Sequence, residues 1–323
     1  MSAKRWMMYG WRLFTVLAAM VALLCSGSAS AAGREKAKII YTSYLDFLMD
    51  LPIAIEKGYF NDSGLDLETV DIASGPTRNS LLPQEDMHGA FLPSETVLTL
   101  IDKGLDLVMV SGIGNRTFDF AVLAKSPVKS LRDFEGKTIA IVPKPSNPRL
   151  ALEYDLDQNH IKSNLVTTTT DADRLSMLLS GKVDIIFSSP PTEARLGDDI
   201  RIVHTATTSK YLWNSCGWWF KPDFINKHPE AVRKFIQGLA MARQIIINNP
   251  AEAVRIYSKY NKLTDDSYKK PFVLPKFDTP PVIYTYGLER TYMVMKDYKL
   301  LKKDIDTSKL VDGRFAKSLT ASY

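Results

Sequence analysis

The chain is poor in the residues that most often carry chemistry. Two of its 323 residues are cysteine, Cys25 and Cys216, and four are histidine, His88, His160, His204 and His228. The histidines lie far apart, and none pairs with Cys216 at the spacing of a structural zinc site. No G-x-S-x-G stands in the chain, which removes the nucleophile elbow. Gly136-Lys137-Thr138 lacks the earlier glycine of a phosphate-binding loop. Gly112-Ile113-Gly114 lacks the third glycine of a dinucleotide fingerprint, so it reads as a tight turn. No apolar run approaches the roughly 20 residues needed to span a bilayer. There is no low-complexity tract. These absences point away from metal, nucleotide and hydrolase chemistry, and no cofactor is expected.

The N-terminus has the layout of a secretory signal. Lys4, Arg5 and Arg12 are basic, and the 13 residues from Leu13 to Cys25 are almost wholly apolar. Small residues follow, with Ala29-Ser30-Ala31 as the cleavage site, so residues 1–31 are expected to be removed. Leu24 is bulky where lipid attachment at Cys25 would need a small residue. An uncleaved anchor is disfavoured by the short apolar run. The prediction is a periplasmic protein of about 290 residues, long enough for two domains. Without the leader, 41 basic side chains become 38 against 36 acidic ones. That near balance argues against a nucleic-acid or membrane-surface partner. With Cys25 gone, Cys216 has no partner for an internal disulfide, and the cores must suffice for stability.

Two stretches 98 residues apart share a pattern. Asp86 leads seven residues on to Pro93-Ser94-Glu95, and Asp184 to Pro191-Thr192-Glu193. Each continues, after a helix-length gap, into a second shared phrase, Gly104–Val110 and Gly197–Val203. This predicts two similar α/β units in one chain, with a cleft between them. Alternation and helical spacing predict strands at 38–42, 65–72, 89–92, 107–111, 138–142, 165–168, 183–188 and 200–204. Helices are predicted at 47–57, 76–82, 96–103, 147–159, 172–179, 224–248, 250–260 and 284–301. Such alternation favours a largely parallel sheet covered on both faces. The segments 118–123 and 216–220 read as extended, apolar passages between the units.

Several phrases resemble a known family. Glu56-Lys57-Gly58-Tyr59-Phe60 with Gly64-Leu65-Asp66-Leu67-Glu68 is similar to the opening of ABC-transporter substrate-binding proteins of the nitrate, sulfonate, taurine and thiamine-precursor type. Leu131–Ala140, Gly181-Lys182-Val183-Asp184, and Phe224-Ile225 with Pro229–Val232 resemble later phrases, in order. The resemblance covers about residues 37–260. It implies an α/β, two-lobed periplasmic binding protein fold (type II) with two crossover strands. The expected division is lobe 1 at 37–119 plus 219–323 and lobe 2 at 120–218. The implied function is capture of a small organic anion (sulfonate, carboxylate or related) in the interlobe cleft and delivery to an ABC permease, by a monomer. Two other readings share the architecture. One is an enzyme like the thiamine-pyrimidine synthases, whose cysteine cluster is missing here, or like the desulfinases. The other is a ligand-presenting sensor.

Ligands of open α/β sheets sit at the carboxyl ends of strands, beside helix N-termini that favour anions. The candidate contacts follow from that rule. Thr42 and Tyr44 follow the first strand. Ser74 can cap the next helix, and Arg78 can grip a carboxylate or sulfonate. Ser94 opens the helix after the third strand. Glu95 beside it either complements the helix dipole or, if it faces the cleft, repels an anion and welcomes an amine. In the second unit the candidates are Ser146, Asn147, Ser189 and Trp213. The family holds its ligand with a small hydroxyl residue that Ser146 matches, although Pro145 stands where it often has glycine. Ser188 and Ser189 are the counterparts of the Pro93-Ser94 turn, and Trp213 is placed to wall an apolar ligand.

Overall fold

Two five-stranded sheets carry the molecule, and they share one strand plan. The computed structural model describes residues 33–43, 46–72, 74–113, 118–206, 216–263, 269–270, 274–279, 281–283 and 285–320. The expected signal segment, residues 1–31, lies outside the described residues. The first sheet contains β1 (Glu35–Tyr41), β2 (Leu65–Asp71), β3 (Gly89–Pro93), β4 (Val108–Gly112) and β10 (Cys216–Phe220), in the order β2-β1-β3-β10-β4. The second contains β5 (Asp119–Leu123), β6 (Thr138–Ile141), β7 (Asn164–Thr167), β8 (Ile185–Ser188) and β9 (Ile200–Thr205), in the order β7-β6-β8-β5-β9. In each, the first three strands are parallel and the fourth is antiparallel to both neighbours.

That fourth strand is the one the chain inserts on arriving from the other half. β5 follows the first sheet's β4, and β10 follows the second sheet's β9. The chain therefore passes between the sheets twice, once between β4 and β5 and once between β9 and β10; residues 114–117 and 207–215 lie outside the described residues. Cys216, Gly217 and Trp218 already belong to the first sheet, three residues before the expected boundary at 219. The repeated phrases fall at the same two strands of each sheet, the first pair two residues out of step. One Pro-Ser/Thr-Glu follows each sheet's third strand, and each Gly-led phrase leads into the fifth.

Twelve helices are described: α1 (Asp50–Glu56), α2 (Tyr59–Asp62), α3 (Gly75–Leu81), α4 (Ser94–Asp102), α5 (Asn147–Gln158), α6 (Asp171–Leu179), α7 (Pro190–Leu196), α8 (Pro222–Lys227), α9 (Pro229–Asn248), α10 (Pro250–Tyr260), α11 (Thr285–Asp297) and α12 (Arg314–Thr320). Among the described residues no helix is long and apolar enough to cross a membrane. The single helix expected over 224–248 is two. His228 leaves the helical region at φ −131°, ψ 53°, because the residue before a proline is disfavoured in α conformation. The helix expected over 47–57 opens with a separate 3₁₀ turn at Asp46–Leu48. The last expected helix stops at Asp297 rather than 301, and α12 follows it unannounced.

Strand alternation sets the packing. On β10, Trp218 and Phe220 enter the core formed with α1, α9 and α10, while Trp219 points to the opposite face. Trp219 is fully buried, and its indole N–H donates to the Leu92 carbonyl at 3.0 Å. Its apolar cluster does not end with the first sheet. It continues through Leu288 and Met295 of α11 to Phe120, Ile139 and Leu150 of the second half. The halves therefore touch through apolar side chains as well as through the chain crossings.

Candidate functional site

The ends of four strands gather buried oxygens that lack partners. Thr42 directly follows β1, and its Oγ1 is buried without a hydrogen-bond partner. Ser94 and Glu95 open α4 after β3, and both are buried. In the second half Ser146 stands at the N-cap of α5 and makes no side-chain cap bond. Its Oγ is buried and unpartnered, as is that of Ser188 at the end of β8. Buried polar groups are ordinarily paired with protein, water or ligand, so each of these oxygens calls for one of the last two.

One hydrogen bond brings the two halves together at this place. The backbone N–H of Asn147, the first residue of α5, donates to Glu95 Oε1 at 3.0 Å. The first N–H groups of a helix have no partner within it, so a carboxyl oxygen here satisfies one and meets the positive dipole end. Glu95 is only 2% exposed, and its Oε2 has no hydrogen-bond partner. Burial pushes its carboxyl up from 4.5 to about 7, while its own backbone N–H and that of Asn147 pull it down. No ion pair to Glu95 is present among the described residues. On the α5 side Lys144 and Arg149 both hold Glu153, at 2.6 and 2.9 Å, and Asp155 meets His204 at 2.8 Å. Behind Asn147 stands Thr291 of α11, with its Oγ1 3.5 Å from Asn147 Oδ1.

Of the expected contacts, Thr42, Ser94, Ser146 and Asn147 stand at these strand ends. Ser74 caps α3, its Oγ accepting the Thr77 N–H at 3.4 Å. Arg78 directs Nη1 to the Ile72 carbonyl at 2.7 Å, so that nitrogen steadies its own loop. Ser189 donates its hydroxyl to Asp171 Oδ2 at 2.9 Å. The serine with an unpartnered hydroxyl is Ser188, one residue earlier. Tyr44 and Trp213 lie outside the described residues. Thr291 was not anticipated: it lies 144 residues from Asn147, and nothing in its local sequence marks it.

The two glutamates of the repeat are not equivalent. β3 runs up to Pro93, which places Glu95 second in α4. β8 stops at Ser188, and Pro190 and Pro191 open α7, which places Glu193 fourth. Glu193 instead lines an outer depression with Pro190, Gly197, Ile202 and Lys270. None of the unpartnered strand-end oxygens belongs to that depression. Among the described residues no group of histidine, cysteine and carboxylate side chains is placed to hold a metal. Cys216 sits opposite Pro93 in the β3–β10 ladder.

Comparison with known proteins agrees with this architecture. Residues 49–253 match the model of the NMT1/THI5-like family. The chain belongs to that family. A Brucella abortus relative, whose name assigns it a binding role without saying what it binds, is 22% identical over 255 residues, 77% of this chain and 79% of that one. Among solved structures, the periplasmic aliphatic sulphonate binding protein SsuA from Escherichia coli superposes with a TM-score of 0.72 at 16% identity, covering 85% of this chain and 97% of that one. A mutant of the desulfurization enzyme DSZB in complex with biphenyl-2-sulfinic acid superposes with a TM-score of 0.67 at 15% identity, covering 90% of this chain and all of the other. At such identities the likeness establishes the two-lobed binding-protein fold and nothing of the ligand. The fold therefore has both binding proteins and an enzyme among its known members.

Proposed function

We propose that this chain is a periplasmic solute-binding protein that captures a small organic acid between its lobes and delivers it to an ABC permease in the inner membrane. The observation that carries this reading is the set of four buried, unpartnered oxygens, on Thr42, Glu95, Ser146 and Ser188, at strand ends of both halves. A ligand that bonds to groups on both lobes favours the closed arrangement, because it makes contacts there that an open one lacks. The lobes divide along the two sheets, and the segments near Phe118–Phe120 and Gly217–Trp219, where the chain enters each sheet from the other, flex to let them close. Export by the leader at 1–31 places the protein where such a solute is met.

A thermal-shift screen of the mature protein against small carboxylates, sulfonates, amino-sulfonates and pyrimidines tests the proposal. A solute present at 100 times its Kd should stabilise the fold by about 2.7 kcal/mol. No shift from any compound at millimolar concentration would contradict it.

The enzyme reading rests on Cys216, which lies beside the site at the level of Pro93. A nucleophilic thiol needs a lowered pKa or an adjacent base. His88, stacked on Phe224 at 4.3 Å, and His204, bonded to Asp155, both have other company. Cys216→Ser is therefore expected to leave solute affinity unchanged in calorimetric titration. Wild-type turnover of a bound solute that the serine variant abolishes would favour the enzyme.

A further inference from the structure

We propose that Glu95 makes this site select a solute bearing a protonated nitrogen, an ammonium or amidinium group, in addition to its acidic group. The inference rests on the solute-binding reading above and narrows its ligand class. The N-terminus of α5, a helix of 12 residues, is where an anionic group would ordinarily dock. Here the position is occupied, since Glu95 Oε1 already accepts the Asn147 N–H. An anion arriving there would have to displace a carboxyl of this same chain or lie against it.

The remaining oxygens set what is missing. Hydroxyls such as Thr42 Oγ1, Ser146 Oγ and Ser188 Oγ both donate and accept, so they suit either kind of ligand atom. An ionised carboxylate only accepts. Glu95 Oε2 is buried, without a partner, on a side chain 2% exposed. Once the carboxyl is ionised, what completes it is a donor, and a cationic donor most of all, because a buried charge is costly unless paired.

Among the described residues no cation of the protein acts on Glu95, whose carboxyl is shifted by burial and by two backbone N–H groups alone. Lys144 and Arg149 are held by Glu153, Arg290 lies over the Tyr154 ring at 6.0 Å, and Arg78 Nη1 is on the Ile72 carbonyl. The acids further along α5 are engaged too, Asp155 by His204 and Asp157 by the Tyr298 hydroxyl. The solute thus supplies the counter-charge, and its acidic end meets the hydroxyls.

Proton linkage separates this from a purely structural glutamate. In the free protein Glu95 titrates near 7. A cationic group docking on Oε2 favours the ionised form, so binding at pH 6 releases a proton and binding at pH 8.5 does not. A docking anion would do the reverse and draw a proton in at pH 8.5.

The test is calorimetric titration of the mature protein with matched probes, taurine against ethanesulfonate and 4-aminobutyrate against butyrate, in buffers of different ionisation enthalpy. The amino member of a pair is expected to bind at least about tenfold tighter, the scale of a hydrogen bond to a charged group, and to release a proton at pH 6. Glu95→Gln should abolish both the preference and the release. Equal affinity within the pairs, proton uptake on binding, or a preference that survives Glu95→Gln would overturn the assignment while leaving solute binding intact. Silence of all four probes in a protein that a broader screen shows to bind amine-free acids would overturn it as well. Silence in every screen would remove the solute-binding reading and this inference together.

Discussion

Replacing Arg243 by alanine is expected to destabilise the chain by about 3–5 kcal/mol, the cost of breaking a buried ion pair from one side. Arg243 and Asp50 are both fully buried, with Nε donating to Asp50 Oδ2 at 2.8 Å. The guanidinium also donates to the carbonyls of Gly112 and Asp278, each at 3.0 Å, and lies 5.1 Å from the Phe277 ring centroid. It thereby joins α9, α1, the segment 274–279 and the last residue of β4. Gly112 is the last residue of β4, so the same side chain anchors the end of that strand. Alanine leaves Asp50 in an apolar interior without its counter-charge, and Asp50 Oδ1 is already without a partner. Replacing both residues by apolar ones of similar volume, Asp50→Leu with Arg243→Met, should restore much of the loss. Urea unfolding of the three variants measures this. A loss below about 1 kcal/mol for Arg243→Ala would mean that the pair is not closed in solution.

The second large effect is the pH dependence of stability, which Glu95→Gln should flatten. Burial raises the Glu95 carboxyl from 4.5 to about 7. The folded protein thus keeps this proton up to about pH 7, whereas the unfolded chain gives it up near 4.5. Between these values unfolding releases a proton, so stability falls as pH rises through the window and levels off above it. At about 1.36 kcal/mol per unit the fall amounts to roughly 3 kcal/mol. Glutamine keeps the shape and the acceptor for the Asn147 N–H but carries no proton to lose. The variant should match wild type near pH 4.5 and exceed it by up to about 3 kcal/mol at pH 8. Parallel curves for the two proteins would show that Glu95 is not buried in solution.

Much of this fold could be read from the sequence because it is written in local signals. The two Pro-Ser/Thr-Glu phrases mark equivalent third strands, and Cys216–Phe220 forms a strand at its expected ends. Ser146 and the N-cap serine of α3 stand where their hydroxyls and the following prolines place them. The misses have a common cause. Glu95 meets Asn147 across 52 residues and Arg243 meets Asp50 across 193, distances over which periodicity carries no information. The break at His228 was available from Pro229, but the apolar stripe through Phe235 and Leu239 masked it. Ser188 ends β8 and Ser189 is the N-cap residue of α7, a one-residue difference that decides which hydroxyl bonds to Asp171 and which is left without a partner.

Where a solute sits decides whether these strand-end oxygens form the binding site. A crystal structure of the mature protein with the tightest-binding compound of the screen is expected to show it between the halves, in contact with Glu95 Oε2 and the hydroxyls of Thr42, Ser146 and Ser188. A solute lodged instead in the outer depression beside Glu193 and Lys270, with those four oxygens untouched, would contradict that placement.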